Sequence, residues 1–246
     1  MKAIKGNSMV ALLVALLLIP FTASAQWQIG QRSFAQAPVT ASWSFVQSTG
    51  GGCSVGPTCT FAITPTTANS VIIVPVYTAT NLTMTSAVLQ GCSTPGTFTG
   101  GSGSSYQAFG SPPGGTAWGY ILGNGGGCTD LLVTMSAADS GNIAPFLLEF
   151  SRGGGTPVLD ALSTTSSNLN TTSCTTCTGS SFTSLSGTKD LIVQVTNTGS
   201  GTSSPSSPYV WDPNQFASYA LNSIQLTAPT WTQSSGGFQT FGVAFK

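Results

Sequence analysis

The sequence contains no histidine, which removes the Ser-His-Asp and Cys-His nucleophile systems and every His-ligated metal site. Acid-base chemistry would have to come from a handful of carboxylates. A glycosidase needs two of them facing one sugar, roughly 5 to 9.5 Å apart, with one held protonated. Glu149, the only glutamate, and Asp160 flank the turn Arg152-Gly153-Gly154-Gly155, so a hairpin could bring them together. The plainer expectation is that Arg152 pairs with one carboxylate while the other caps a turn. Asp139-Ser140-Gly141 matches the short aspartic-protease signature, whose mechanism needs two aspartates sharing a proton. It occurs once, and the same tripeptide is an ordinary turn. A Ser-Lys pair would have to use Lys189, in a turn before a strand, or Lys246 at the terminus. No catalytic residue, cofactor or metal site is assigned, and the expectation is a protein that is not an enzyme.

The 6 cysteines are Cys53, Cys59, Cys92, Cys128, Cys174 and Cys177. An even count in an exported chain suggests a disulfide framework. Local spacing favours Cys53 with Cys59 across a Gly-Pro turn and Cys174 with Cys177, leaving Cys92 for Cys128. The CxxC at Cys174 would suggest a thiol oxidoreductase in a βαβ setting, or a zinc site if joined by a second pair. Its flanks, Thr171-Thr172-Ser173 and Thr178-Gly179-Ser180, read as loop. A structural clip is therefore expected.

Aromatic side chains offer the alternative of sugar binding, because sugars stack flat C–H faces on Trp and Tyr. Trp43, Phe61 and Trp118 lie in apolar patterns and are assigned to the core. Tyr209 and Trp211 lie in the polar stretch Ser206-Ser207-Pro208-Tyr209-Val210-Trp211-Asp212-Pro213-Asn214, and Tyr106 lies in the Gly/Ser-rich loop between Cys92 and Cys128. These three are the candidate ligand-binding residues.

Lys2 and Lys5, an apolar run from Met9 to Phe21, and Ala23-Ser24-Ala25 read as a secretory signal over residues 1–25, with a single domain over 26–246. The run is too short to span a bilayer and no later stretch is long and apolar enough to do so. Charged residues make up 5% of the sequence against roughly 25% in an average globular protein. Beyond the signal, Arg32, Arg152, Lys189 and Lys246 stand against Asp130, Asp139, Glu149, Asp160, Asp190 and Asp212. So few cations exclude a nucleic-acid partner. The expected location is secreted or at the cell surface, with the periplasm as a further possibility.

Val39, Ala41, Trp43 and Phe45 alternate, which places them on one face of a strand. Val71-Ile72-Ile73-Val74 reads as a central strand buried on both faces, and Leu191-Ile192-Val193-x-Val195 as its counterpart. Pairing the first run with Phe61-Ala62-Ile63, and the second with Phe182 to Leu185, hints at two related halves. About a dozen short strands separated by Gly/Pro/Asn turns favour an all-β, double-sheet sandwich of jelly-roll type.

The chain resembles a set of uncharacterised exported bacterial β-sandwich modules. The resemblance lies in Asn69-Ser70-Val71-Ile72-Ile73-Val74, in Phe146-Leu147-Leu148-Glu149-Phe150-Ser151 with Pro157-Val158-Leu159-Asp160, in Thr188-Lys189-Asp190-Leu191-Ile192-Val193, and in Gly242-Val243-Ala244-Phe245-Lys246. It implies a sandwich fold and an exported location, and it transfers no functional residues. A surface of Ser, Thr, Gly and Asn with few charged gatekeepers tolerates close self-association. The expected role is structural or adhesive, at the cell surface or in extracellular matrix. The partner would be the chain itself, as homo-oligomer or polymer, or an extracellular glycan bound by a carbohydrate-binding module.

Overall fold

The β-branched run at Val71 lies in a strand whose residues from Val71 to Val76 are all buried. Successive side chains of a strand point to opposite faces, so the sheet containing it must be covered on both sides. The computed structural model describes residues 41–54, 56–80, 82–101, 115–141, 143–163, 170–198, 201–214 and 216–246. The residues of the signal segment, Val39 and Tyr106 lie outside them. The described residues contain fourteen strands: β1 (Trp43–Gly50), β2 (Thr58–Ala62), β3 (Val71–Thr78), β4 (Met84–Gln90), β5 (Thr97–Gly100), β6 (Gly115–Leu122), β7 (Asp130–Met135), β8 (Ala144–Arg152), β9 (Leu159–Leu162), β10 (Asn170–Thr178), β11 (Asp190–Asn197), β12 (Val210–Trp211), β13 (Ala217–Ser223) and β14 (Thr230–Phe245).

They form three antiparallel sheets, ordered β1-β8-β3-β6-β5, β2-β7-β4 and β10-β14-β11-β13-β12, with β9 also on β14. Strands β1 to β4 alternate between the first two sheets, as do β6, β7 and β8. Ile72, Val74 and Val76 pack on Leu131 and Val133 of β7 and Ala87 and Leu89 of β4. On the other face, Val71 and Ile73 pack on Leu191, Val193 and Val195 of β11 and on Phe241, Val243 and Phe245 of β14. The expected all-β sandwich is present, with three layers in place of two. A run buried on both faces is what a middle layer requires.

The counterpart run in β11 is buried on both faces for a different reason. Its outward Ile192, with Ala220 and Ala244, is covered by Phe182 and Tyr209 from loops. Ser180 to Leu185 is therefore not the expected strand, and neither pairing behind the hint of two related halves forms, since Phe61 and Ala62 lie on β2, which pairs with β7 in a different sheet from β3. The side-chain amide of Gln194 fixes this loop: its Oε1 accepts from Ser180 N at 3.0 Å and its Nε2 donates to Ser180 O at 2.7 Å. Gly242 lets the loop lie flat, since a Cβ there would meet Gln194 Nε2, Ser163 and Phe182 at 3.0 to 3.1 Å. The CxxC segment, expected as loop, is strand β10, which pairs with β14 through irregular register. Its Thr, Ser and Cys residues carry no apolar alternation to announce a strand. Trp43 and Trp118 are core as expected, and Phe61 is half-buried against the first cluster.

All three expected disulfides are formed: Cys53–Cys59, Cys92–Cys128 and Cys174–Cys177. The first of them ties the first sheet to the second, and the second joins the ends of β4 and β7 within the second sheet. Cys53 bridges to Ile143 beside β8, while its partner Cys59 lies in β2. Cys92 and Cys128 close the excursion in which the chain leaves β4, builds β5 and β6 in the first sheet, and returns to β7. Three disulfides fit folding in an oxidising compartment. Replacing Cys92 and Cys128 together by alanine removes a closure over 36 residues and should cost about 3 to 4 kcal/mol of unfolding free energy in urea titrations, against about 1 to 2 kcal/mol for the Cys174–Cys177 pair.

Candidate functional site

The residues expected to carry chemistry are dispersed. Glu149 lies on β8 in the first sheet and Asp160 on β9 in the third, so the hairpin that would have paired them does not form. Glu149 is buried and accepts from Gln47 Nε2 and Thr67 N, both at 2.6 Å. Asp139 is likewise a clamp, accepting from Ala79 N and Thr80 Oγ1 at 2.7 Å. Burial alone would raise its pKa, but hydrogen bonds from Ala79, Thr80, Ser140 and Gly141 together hold it below the usual carboxylate range. The turn reading of Asp139-Ser140-Gly141 fits this arrangement.

The loop aromatics are also spent on packing. Tyr209 is 3% exposed and its hydroxyl donates to Thr227 O; burial pushes that hydroxyl up to about 12. It offers no ring face to a sugar. Trp211 is half-buried, donates from Nε1 to Ser203 O at 2.7 Å, and meets Trp231 edge-on at 5.7 Å between centroids. Trp231 in turn packs with Phe238 over the Cys174–Cys177 bridge.

A different set of residues converges. The loop from Ser186 to Lys189, leading into β11, forms one wall of an open cleft of about 440 Å³ whose other walls come from Ala41, Arg152, Val158 and Lys246. Asp160, on β9, fastens this wall from behind. It accepts from Ser186 N at 2.6 Å, from the Ser186 hydroxyl and from Gly187 N at 3.3 Å, and it forms an ion pair with Lys246 Nζ at 3.0 Å. Asp190, fully buried, lies against Gly187 so closely that a Cβ at that position would fall on its carboxyl.

These two carboxyl groups are driven apart in acidity. Burial raises Asp190 to about 7, reinforced by its hydrogen bond to Asp160 and the negative charge there, against the opposing pull of Lys246 and Arg152. Asp160 also feels burial, but the Ser186 hydroxyl, Lys246, Ser186 N and Asp190 together hold it far below the usual carboxylate range. Below about pH 7 Asp190 is held protonated beside an ionised Asp160. Arg152 closes the cleft, with its guanidinium 5.8 Å from the Trp43 ring centroid and its Nε buried without a partner.

Sequence reasoning placed Lys189 in a turn and overlooked Asp190, 30 positions from Asp160. The available signal was scarcity: in a chain with so few charges, Arg152, Asp160, Lys189, Asp190 and Lys246 each adjoin or lie within an apolar strand. The chain matches no family model, no curated protein and no solved structure.

The shifts set the sign of the pH dependence. Asp190 holds its proton to about 7 in the native state, while an unfolded aspartate titrates near roughly 3.9. The native state therefore binds more protons across that interval, and stability falls as pH rises from about 4 to about 7. Asp160 and Asp139 act oppositely, their contribution being lost as pH drops below about 4. Asp190→Asn keeps the size of the side chain and removes the titration. Its melting temperature should be level between pH 4.5 and 7.5, where the wild-type value declines.

Proposed function

We propose that this chain is an exported, non-enzymatic β-sandwich module with a structural or adhesive role at the cell surface or in extracellular matrix, acting through association with further copies of itself. The observation that carries the reading is the chemistry of the sheet edges. The strands that end sheets or lie at their margins are β1, β5, β2, β4, β9, β10 and β12. Only β9 among them contains a charged residue, Asp160, whose side chain is 2% exposed.

Natural sheets protect free edges with lysines, prolines or inward-pointing charges, because unpaired N–H and C=O groups are templates for another strand. Here the same strands expose apolar side chains: Val46, Val88, Leu159, Leu162 and Val210. The bulges near Phe45 in β1 and Met84 in β4 bend those edges locally, which limits pairing to the regular segment beyond each. The alternation of β1 to β4 and of β6 to β8 between two facing sheets supports a jelly-roll winding for this half of the module. Because Tyr209 is buried, sugar stacking on the loop aromatics is the weaker reading.

The test is the mass of the oxidised chain from Gln26 onward by size exclusion with light scattering, followed by electron microscopy of any large species. Ordered assemblies are expected, and Val46→Lys with Val88→Lys should return the protein to monomer with its circular dichroism unchanged. A wild-type protein that stays monomeric up to about 1 mM would refute the reading.

A further inference from the structure

Every lysine and arginine among the described residues faces one cleft: Arg152, Lys189 and Lys246. Lys246 is committed to Asp160, but the other two are not. Lys189 is exposed, and the only ion pair among the described residues is that of Lys246. Arg152 keeps most of its donors. Its Nη1 reaches Thr156 O only at 3.5 Å, the outer limit of a hydrogen bond, and its plane is held over Trp43.

Gly187 belongs to the wall of this cleft and also to that of a second depression, of about 290 Å³, formed by Leu185, Ile224 and Leu226 with Thr183 and Ser184. Ile224 is 64% exposed, the most exposed large apolar side chain among the described residues, and Leu226 is 40% exposed. A cationic cleft thus runs into an open aliphatic groove, at volumes typical of small-molecule sites.

We propose that cleft and groove together bind an amphiphilic carboxylate, a molecule with an aliphatic chain and a carboxylate head. The head would lie on Arg152 and Lys189, because a guanidinium fork matches the two oxygens of a carboxylate and draws a charge-assisted pair of hydrogen bonds. The chain would cover Leu185, Ile224 and Leu226, removing apolar surface from water. The walls of both depressions hold no aromatic ring and no Asn or Gln, the groups that a sugar would use. On the cleft wall, the backbone groups of Val158 and Lys246 bond to each other, so an extended peptide finds no free pair there. A second copy of the chain has little to offer the cations, since Asp139, Glu149, Asp190 and Asp212 are buried and Asp160 is paired with Lys246, which leaves the half-buried Asp130.

The test is calorimetric titration of the full chain from Gln26 at pH 6, where Asp190 is protonated, with sodium hexanoate, octanoate and decanoate below their micelle concentrations. Octanol and galacturonate serve as the neutral and non-aliphatic controls. Affinity should rise at least 5-fold from hexanoate to decanoate, with octanol at least 10-fold weaker than octanoate. Lys189→Gln, a surface change with no packing role, should weaken decanoate binding at least 3-fold, Arg152→Gln at least 5-fold and Ile224→Ser at least 3-fold. Absence of saturable binding, galacturonate binding as tightly as decanoate, octanol matching octanoate, or unchanged affinity in Lys189→Gln and Ile224→Ser would each overturn the proposal. Repeating the titration with the monomeric Val46→Lys, Val88→Lys chain separates this site from edge-to-edge assembly.

Discussion

A sheet with no face left for water governs this structure. In β3 the side chains of Ile72, Val74 and Val76 go to one cluster and those of Val71 and Ile73 to another, so each face of the sheet needs a cover, and each is given a further sheet. Strand-by-strand alternation between facing sheets supplies the first cover, and the second half of the chain, from β9 onward, supplies the other. The Cys53–Cys59 bridge lies where the chain crosses from the first sheet to the second, while Cys92–Cys128 fastens β4 to β7 inside the second. The middle layer is therefore tied covalently to one cover and held to the other by packing, chiefly of aromatic rings such as Trp118 with Phe241 and Tyr120 with Phe245.

Burial on this scale leaves little room for charge, and the acidic residues are used as internal anchors. Asp212 gathers Ser48 Oγ, Asn214 N and Ala217 N, and in doing so links β1 of the first sheet to the β12–β13 turn of the third. Glu149 holds Thr67 N, Asp139 holds Ala79 N, and Asp160 holds the backbone at Ser186 and Gly187. Each carboxylate satisfies loop N–H groups that would otherwise be costly to bury. Gln194 does the same with a neutral amide. Glu149, Asp139, Asp160 and Asp212 are thus structural joints, which takes most of the described acidic groups off the outer surface.

That economy has two outward consequences. Edge strands lack charged guards, so they are open to further strands. Among the described residues the cations gather at a single cleft, where Asp190 keeps its proton because a second negative charge beside Asp160 would be buried with it. The self-association and the ligand capture proposed above would use different parts of the surface, and both readings start from the same composition.

The strands of the two apolar runs were legible in the sequence because β-branched residues and a period of two are local properties. The cysteine pairings were legible because short spacing limits which sulfurs can meet. Strand β10 was hidden, since Thr, Ser and Cys carry no apolar alternation. Phe182 and Leu185 looked like strand but belong to a loop laid across a sheet, because the bonds of Ser180 are taken by a side chain 14 residues away. The same limit hid the meeting of Asp160 with Asp190 and the burial of Tyr209. Composition and local period determined that the chain would be an all-β, disulfide-linked, nearly uncharged sandwich. Only the tertiary structure decided that there are three layers and which charges meet, because a run buried on both faces is equally compatible with a covering loop, as on β11, and with a covering sheet, as on β3.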